Sequence, residues 1–214
     1  VTVVLVVAVA LVSWFGWRSS TPVSTTTTAT STTEAPVPAN AVWPTAASGV
    51  RYLTASAAAQ GLATDLLHMA TPLVEAVSAG ANGSRVALIR PSARGPVTTV
   101  SLRSSSDGTW WVWRATTPDI VVTTPAPLAI ITSPALVRGR SLAFEGVVNV
   151  TLRDDVSSTP LAATTVMGGG TQLAPFTRTF SFAAPMSSYG TLIFYERSTK
   201  DGSGVCATVE RVRF

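Results

Sequence analysis

The side chains that could do chemistry are few in this chain, and their spacing is informative. His68 is the single histidine, with Asp65 three residues before it. One imidazole beside one carboxylate on a helix face is a local hydrogen-bonded pair. It is too few ligands for a metal site. Serines are plentiful, yet there is no G-x-S-x-G elbow and no S-x-x-K to make one of them a nucleophile. Gly168-Gly169-Gly170 lacks the following lysine and helix of a phosphate loop. Asp154, Asp155 and Asp201-Gly202-Ser203 supply fewer oxygens than calcium needs and read as turn chemistry. Cys206 is the only cysteine, so it has no internal disulfide partner and is expected as a small buried core residue. No catalytic residue, cofactor site or metal site is therefore assigned. Trp110-Trp111-Val112-Trp113 remains. In a strand, Trp111 and Trp113 share one face and Trp110 and Val112 the other. One face is core, and the other is either packed or a stacking platform for sugar or peptide.

These residues need elements to hold them. Thr54 to about Ser78 carries Leu62, Leu66, Met69, Leu73 and Val77 at helical spacing, with Pro72 expected to end or kink the helix near Ala70. Ser84–Arg90, Val97–Arg103, Thr109–Arg114 and Ile120–Thr123 alternate as strands, separated by turn signals at Gly95-Pro96 and Ser106-Asp107-Gly108. A small α+β module over residues 48–124 follows, a helix on a three- or four-stranded antiparallel meander. After Pro125, strands are expected at Leu128–Thr132, Leu142–Arg153, Leu161–Met167, Phe176–Phe182, Leu192–Glu196 and Val205–Phe214. About seven short strands at this spacing predict a β-sandwich over residues 125–214. Phe144, Val148, Val150, Leu152, Phe180, Phe182, Leu192 and Phe194 are its expected core.

Ahead of both lie two unlike segments. Val1–Trp17 is uncharged and apolar on every face, with Trp14 and Trp17 at its end. Seventeen helical residues span about 26 Å, near the lower limit for a hydrocarbon core of about 30 Å. An uncleaved transmembrane helix is expected. A cleaved signal peptide is the competing reading, although Trp-Phe-Gly-Trp-Arg is a poor cleavage site. Residues 18–47 are dominated by Thr, Ser, Pro and Ala and read as a disordered stalk. The net charge of +4 and the pI of about 10.0 come without a run of adjacent basic residues, so no nucleic-acid partner is expected.

The C-terminal part also carries motifs. They are Ile131-Thr132-Ser133-Pro134, Gly139–Gly146 (GRSLAFEG), Val148–Asp154 (VNVTLRD), Gly190–Glu196 (GTLIFYE) and Lys200-Asp201-Gly202-Ser203. This set resembles the immunoglobulin-like domain of bacterial spore germination proteins, which also occurs in other bacterial envelope proteins. The resemblance covers about residues 127–214. The small-residue stretch between Ser157 and Thr171 departs from it as a looser connection. It implies a non-catalytic sandwich with no catalytic residues to carry over, and a role in binding or assembly at the cell envelope. The expected fold class is mainly β: an immunoglobulin-like β-sandwich preceded by a small α+β module, an N-terminal transmembrane helix and a disordered linker. The expected protein is a single-pass cytoplasmic-membrane protein, anchored through residues 1–17 with its bulk extracytoplasmic. It is not an enzyme, and its partner is an envelope protein or a cell-wall polymer. The alternative is a carbohydrate or cell-wall binder using the Trp110–Trp113 cluster; an envelope hydrolase is a third, weaker reading. The candidate contact residues are Trp110, Trp111, Trp113, Tyr189 and Tyr195.

Overall fold

The computed structural model describes residues 37–157 and 159–214. The expected transmembrane helix and most of the expected stalk lie outside them. No helix among the described residues is long and apolar enough to cross a membrane.

Helix α1 (Ala55–Gly61) starts where the Thr54 side chain accepts the Ala57 N–H at 3.1 Å. It continues as a π-helical turn, Leu62–Leu66, and stops there. The expected helix to Ser78 is corrected. Leu67 N–H reaches back to Leu62 O at 3.0 Å, and His68 then adopts a left-handed conformation (φ 52°). Pro72 follows and cannot donate a helical bond. Leu62, Leu66 and Met69 do bury as expected, whereas Leu73 is 46% exposed. The chain beyond turns extended, and β1 (Leu73–Val74) and β2 (Ser78–Ala79) both pair with β3 (Arg85–Arg90).

The meander forms as expected from β3, β4 (Thr98–Ser104) and β5 (Trp110–Thr116). Its β5 holds a bulge. Ser101 pairs with Arg114 and Leu102 with Val112, so Trp113 is the extra residue. The bulge lets Val112 and Ala115 both face the α1 core. The fourth run, β6 (Ile120–Thr124), leaves the meander and pairs with β7 (Ala135–Ser141) instead.

Four expectations for the sandwich change. Leu128–Thr132 is not a ladder strand; it runs beside the end of β12, joined by a parallel bridge between Ile130 and Arg213. The strand expected from Leu142 is split, with β7 ending at Ser141 and β8 (Val147–Asp154) beginning after a 3-10 turn over Phe144–Gly146. Phe144 lies in that turn and is 59% exposed, not core. Glu145 and Gly146 both take positive φ there, which breaks the strand's alternation. Phe182 is only half-buried. The remaining strands are β9 (Ala162–Met167), β10 (Ala174–Phe180), β11 (Tyr189–Arg197) and β12 (Gly204–Arg213).

The main sheet runs β1-β3-β4-β5-β12-β11-β8-β9, with β2 alongside β3; the second sheet runs β10-β7-β6. Strands β9, β8, β11 and β12 face β10, β7 and β6 across a core that includes Val148, Val150, Leu152, Phe176, Phe180, Leu192, Phe194 and Val212. A second core lies on the other face of the main sheet. There α1 and its π turn pack on Ala87, Ile89, Val100 and Leu102, and also on Ile193, Ala207 and Val209. Strands β11 and β12 therefore bury both faces: Ile193, Ala207 and Val209 enter the α1 core, and Leu192, Phe194, Cys206 and Val212 the sandwich core.

The division expected at Pro125 falls inside the sandwich, and one sheet passes through both parts. Residues 37–214 lie in one compact unit. Strand β5 meets β12 at one pair, Ala115 with Val209. Buried threonines complete the seam. Thr98 Oγ1 accepts the Ala207 N–H at 3.1 Å, and Thr208 Oγ1 accepts the Thr117 N–H at 3.2 Å while donating to Ile120 O at 2.5 Å. The last residues assigned to the stalk also belong to the body. Ala41 and Val42 are buried, and Val42 N–H donates to Val112 O at 2.7 Å. An edge backbone group of β5 gains a partner this way, a long-range pairing that composition does not reveal.

Candidate binding surfaces

The tryptophan run does not form a free platform. Trp110 packs against the α1 core, and Trp111 is 7% exposed. Trp113 is half-buried beneath the Arg103 guanidinium, 4.7 Å from its ring centroid. Trp113 still lines a cleft of about 580 Å³ with Asn40, Arg103, Arg114, Leu128 and Glu210. Glu210 is 5% exposed, and burial pushes its carboxyl above the usual range against the opposing pull of Arg114. Two aromatic residues outside the expected set, Trp43 and Tyr52, close the other edge of β5. Trp43 Nε1 donates to Tyr52 Oη at 3.1 Å, and burial raises the Tyr52 phenol.

Tyr189 sits at one end of the sandwich, with the Arg211 guanidinium 5.3 Å from its ring centroid. Arg211 is buried and fully engaged. It grips Asp155 through both terminal nitrogens, donates to Thr191 Oγ1 at 3.1 Å and donates through Nε to Ala39 O at 2.9 Å. The neighbouring Asp154 carboxylate accepts the N–H groups of Val156, Ser157 and Met186 at 3.3, 2.6 and 2.7 Å. These acids tie loops together. Asp201 likewise accepts from Ser203, whose hydroxyl and N–H hold its carboxyl below the usual range.

His68 and Asp65 do not form the expected pair. Asp65 accepts from Thr64 Oγ1 at 2.7 Å and from Tyr52 Oη at 3.4 Å. His68 is exposed past the helix end, and its backbone carbonyl accepts the Gly204 N–H at 3.1 Å. Cys206 is buried in the sandwich core as expected, and burial pushes its thiol up to about 12.

Tyr195 occupies a different setting. Register places Tyr195 beside Asn149 and Asn149 beside Thr165; one row along, Ile193, Thr151 and Ala163 follow. These side chains lie on the face of the main sheet that α1 covers over β3–β5 and leaves open over β8 and β9. Arg197 Nη2 donates to Tyr195 Oη at 2.9 Å, its guanidinium sits 5.3 Å from the tyrosine ring centroid, and Tyr195 Oη lies 3.4 Å from Thr151 Oγ1. Two adjoining clefts of about 540 and 640 Å³ share Thr151, Ala163, Tyr195 and Arg197. Arg153 and His68 line the first, and Asn149 and Thr165 the second. Sequence singled out Tyr195 but missed Arg197 and Arg153, because only the pairing of three strands brings them together.

Two facing sheets of four and three antiparallel strands, closed over one apolar core, define an immunoglobulin-like sandwich. Residues 119–203 match the family model of the immunoglobulin-like domain of bacterial spore germination, the family that the C-terminal motifs resemble. The match begins next to β6, the strand that the fold also assigns to the sandwich. No curated protein and no solved structure matches the chain.

Proposed function

We propose that this is an extracytoplasmic envelope protein, held at the cytoplasmic membrane by residues 1–17, whose folded body makes non-catalytic contact with an envelope protein or a wall polymer. The observation that carries the reading is the germination-type immunoglobulin-like domain over residues 119–203. The Thr/Ser/Pro-rich stretch between the apolar run and the body supports it, since such a tether suits a domain held away from a membrane. The chemistry of the titratable groups agrees. Asp154, Asp155, Asp201 and Arg211 are each occupied in structural bonds. Protease added to intact spheroplasts should release the body as one fragment, by cleavage between residues 18 and 36. Protection until the membrane is lysed would place the body in the cytoplasm and overturn this reading.

A carbohydrate-binding variant has one supporting observation, the Trp113 cleft with Glu210 at its wall. Trp113→Ala would abolish saccharide binding on that variant and leave it intact otherwise.

A further inference from the structure

The geometry points to the Tyr195–Arg197 groove as a site for an anionic wall polysaccharide, held through its carboxylate or phosphate groups. The inference rests on the contact reading above and names the surface and the ligand chemistry.

The charge is one-sided. Among the described residues, no carboxylate lines the two adjoining clefts, and Arg197 lines both. Arg197 is exposed, and its hydrogen bond goes to a neutral phenol and not to an acid. That bond and the tyrosine ring fix the guanidinium on the sheet while leaving its charge uncompensated. A planar guanidinium held this way presents its remaining N–H groups as a fork suited to carboxylate or phosphate oxygens.

The rest of the groove favours a polysaccharide over an acidic peptide. Its floor is the bare outer face of β8 and β9, set with Thr151, Thr165 and Asn149, whose hydroxyl and amide groups match sugar hydroxyls. Apolar lining is limited to small pieces from Leu66, Pro160, Ala163 and Ile193, leaving no deep socket for a peptide side chain. The clefts adjoin, so an extended polymer can lie across both. The site sits on paired strands of the main sheet, so binding needs no loop to order first.

The test uses the full chain in detergent micelles. It is titrated with four fluorescent probes: oligogalacturonate for carboxylate, phosphomannan for phosphate, polyglutamate for acidic peptide, and neutral dextran. At least one anionic polysaccharide should bind, more weakly as salt rises, while dextran should not. Arg197→Gln should weaken that binding about tenfold or more, the loss expected for one charge-assisted hydrogen bond. Arg178→Gln, exposed on β10 of the other sheet, should leave it unchanged. Thermal midpoints of the variants separate lost binding from lost folding, and Arg197→Lys should restore part of the affinity. Polyglutamate binding as tightly as the polysaccharides would overturn the ligand class. Polysaccharide binding that is indifferent to Arg197→Gln would overturn the groove while the wider contact reading stands. Binding of neither polysaccharide would overturn the proposal, and the spheroplast experiment would then judge the contact reading separately.

Discussion

Replacing Phe194 with alanine tests whether the two cores unfold as one. Phe194 is fully buried at the centre of the sandwich, its ring centroid 6.1 Å from that of Phe176. Truncating such a ring costs about 3–5 kcal/mol. With a urea slope of about 2–3 kcal/mol/M, the unfolding midpoint should fall by roughly 1–2 M. The measurement is made on residues 37–214, whose four tryptophans, Trp43, Trp110, Trp111 and Trp113, all lie outside the matched sandwich residues. Trp43 and Trp110 pack against the α1 core and Trp111 and Trp113 lie on β5, so tryptophan fluorescence reports on the meander, and far-UV circular dichroism on the whole. Strands β11 and β12 serve both cores, so the two signals should shift together in one transition. Phe144→Ala, removing an exposed ring, should move the midpoint by less than about 0.5 kcal/mol equivalent. A fluorescence transition that stays in place while the sandwich melts would refute the shared sheet. A Phe144→Ala loss as large as that of Phe194→Ala would refute the turn at residues 144–146.

Three further outcomes follow from the buried polar groups. Asp155→Ala leaves the Arg211 guanidinium buried without its counter-charge and should cost about 3–5 kcal/mol by urea titration. Glu210 is held above the usual carboxyl range by burial, so its folded state favours the proton. The stability this lends is full at acidic pH and falls as pH rises through its titration; Glu210→Gln should therefore gain stability at pH 7 relative to the parent and lose that advantage near pH 4. Cys206, pushed up to about 12 from 9.0, contributes stability below pH 9 that is lost as pH climbs toward 12. Its thiol should resist a disulfide reagent at pH 8 in the folded protein and react once urea unfolds it.

The sequence was most readable where one face of an element faces water. Strands β3 and β4 and the residues Val148, Val150 and Leu152 of β8 alternate cleanly, and burial follows that alternation. Strand β7 was missed because its outward positions are Arg138 and Arg140 and its centre is Gly139. The glycine is required, since a Cβ there would lie 2.3 Å from Val121 O. Phe144 misled because an aromatic two residues from an apolar run looks like core, while the positive φ angles of Glu145 and Gly146 that expel it are invisible in a period-two pattern. The helix expected to Ser78 failed at its end: the leucine and valine spacing continues past Pro72, but Leu73 and Val74 pair with β3 instead. The pairing of Val42 and Trp43 with Val112 spans about seventy residues, and no local signal marks it. The candidate groove was legible only through Tyr195. Its other members come from β8, β9, the rest of β11 and the end of the π turn, and strand register brings the sheet residues together.

The most direct test of surface contact outside the membrane is photo-cross-linking in living cells from one groove position. A photoreactive residue placed at Thr165, exposed on β9 and lining the Tyr195 clefts, should yield an adduct with an extracytoplasmic envelope protein or a wall polymer. The same residue at position 178 on the opposite sheet should yield far less. Adducts confined to cytoplasmic proteins, or equal yields from both positions, would contradict the account.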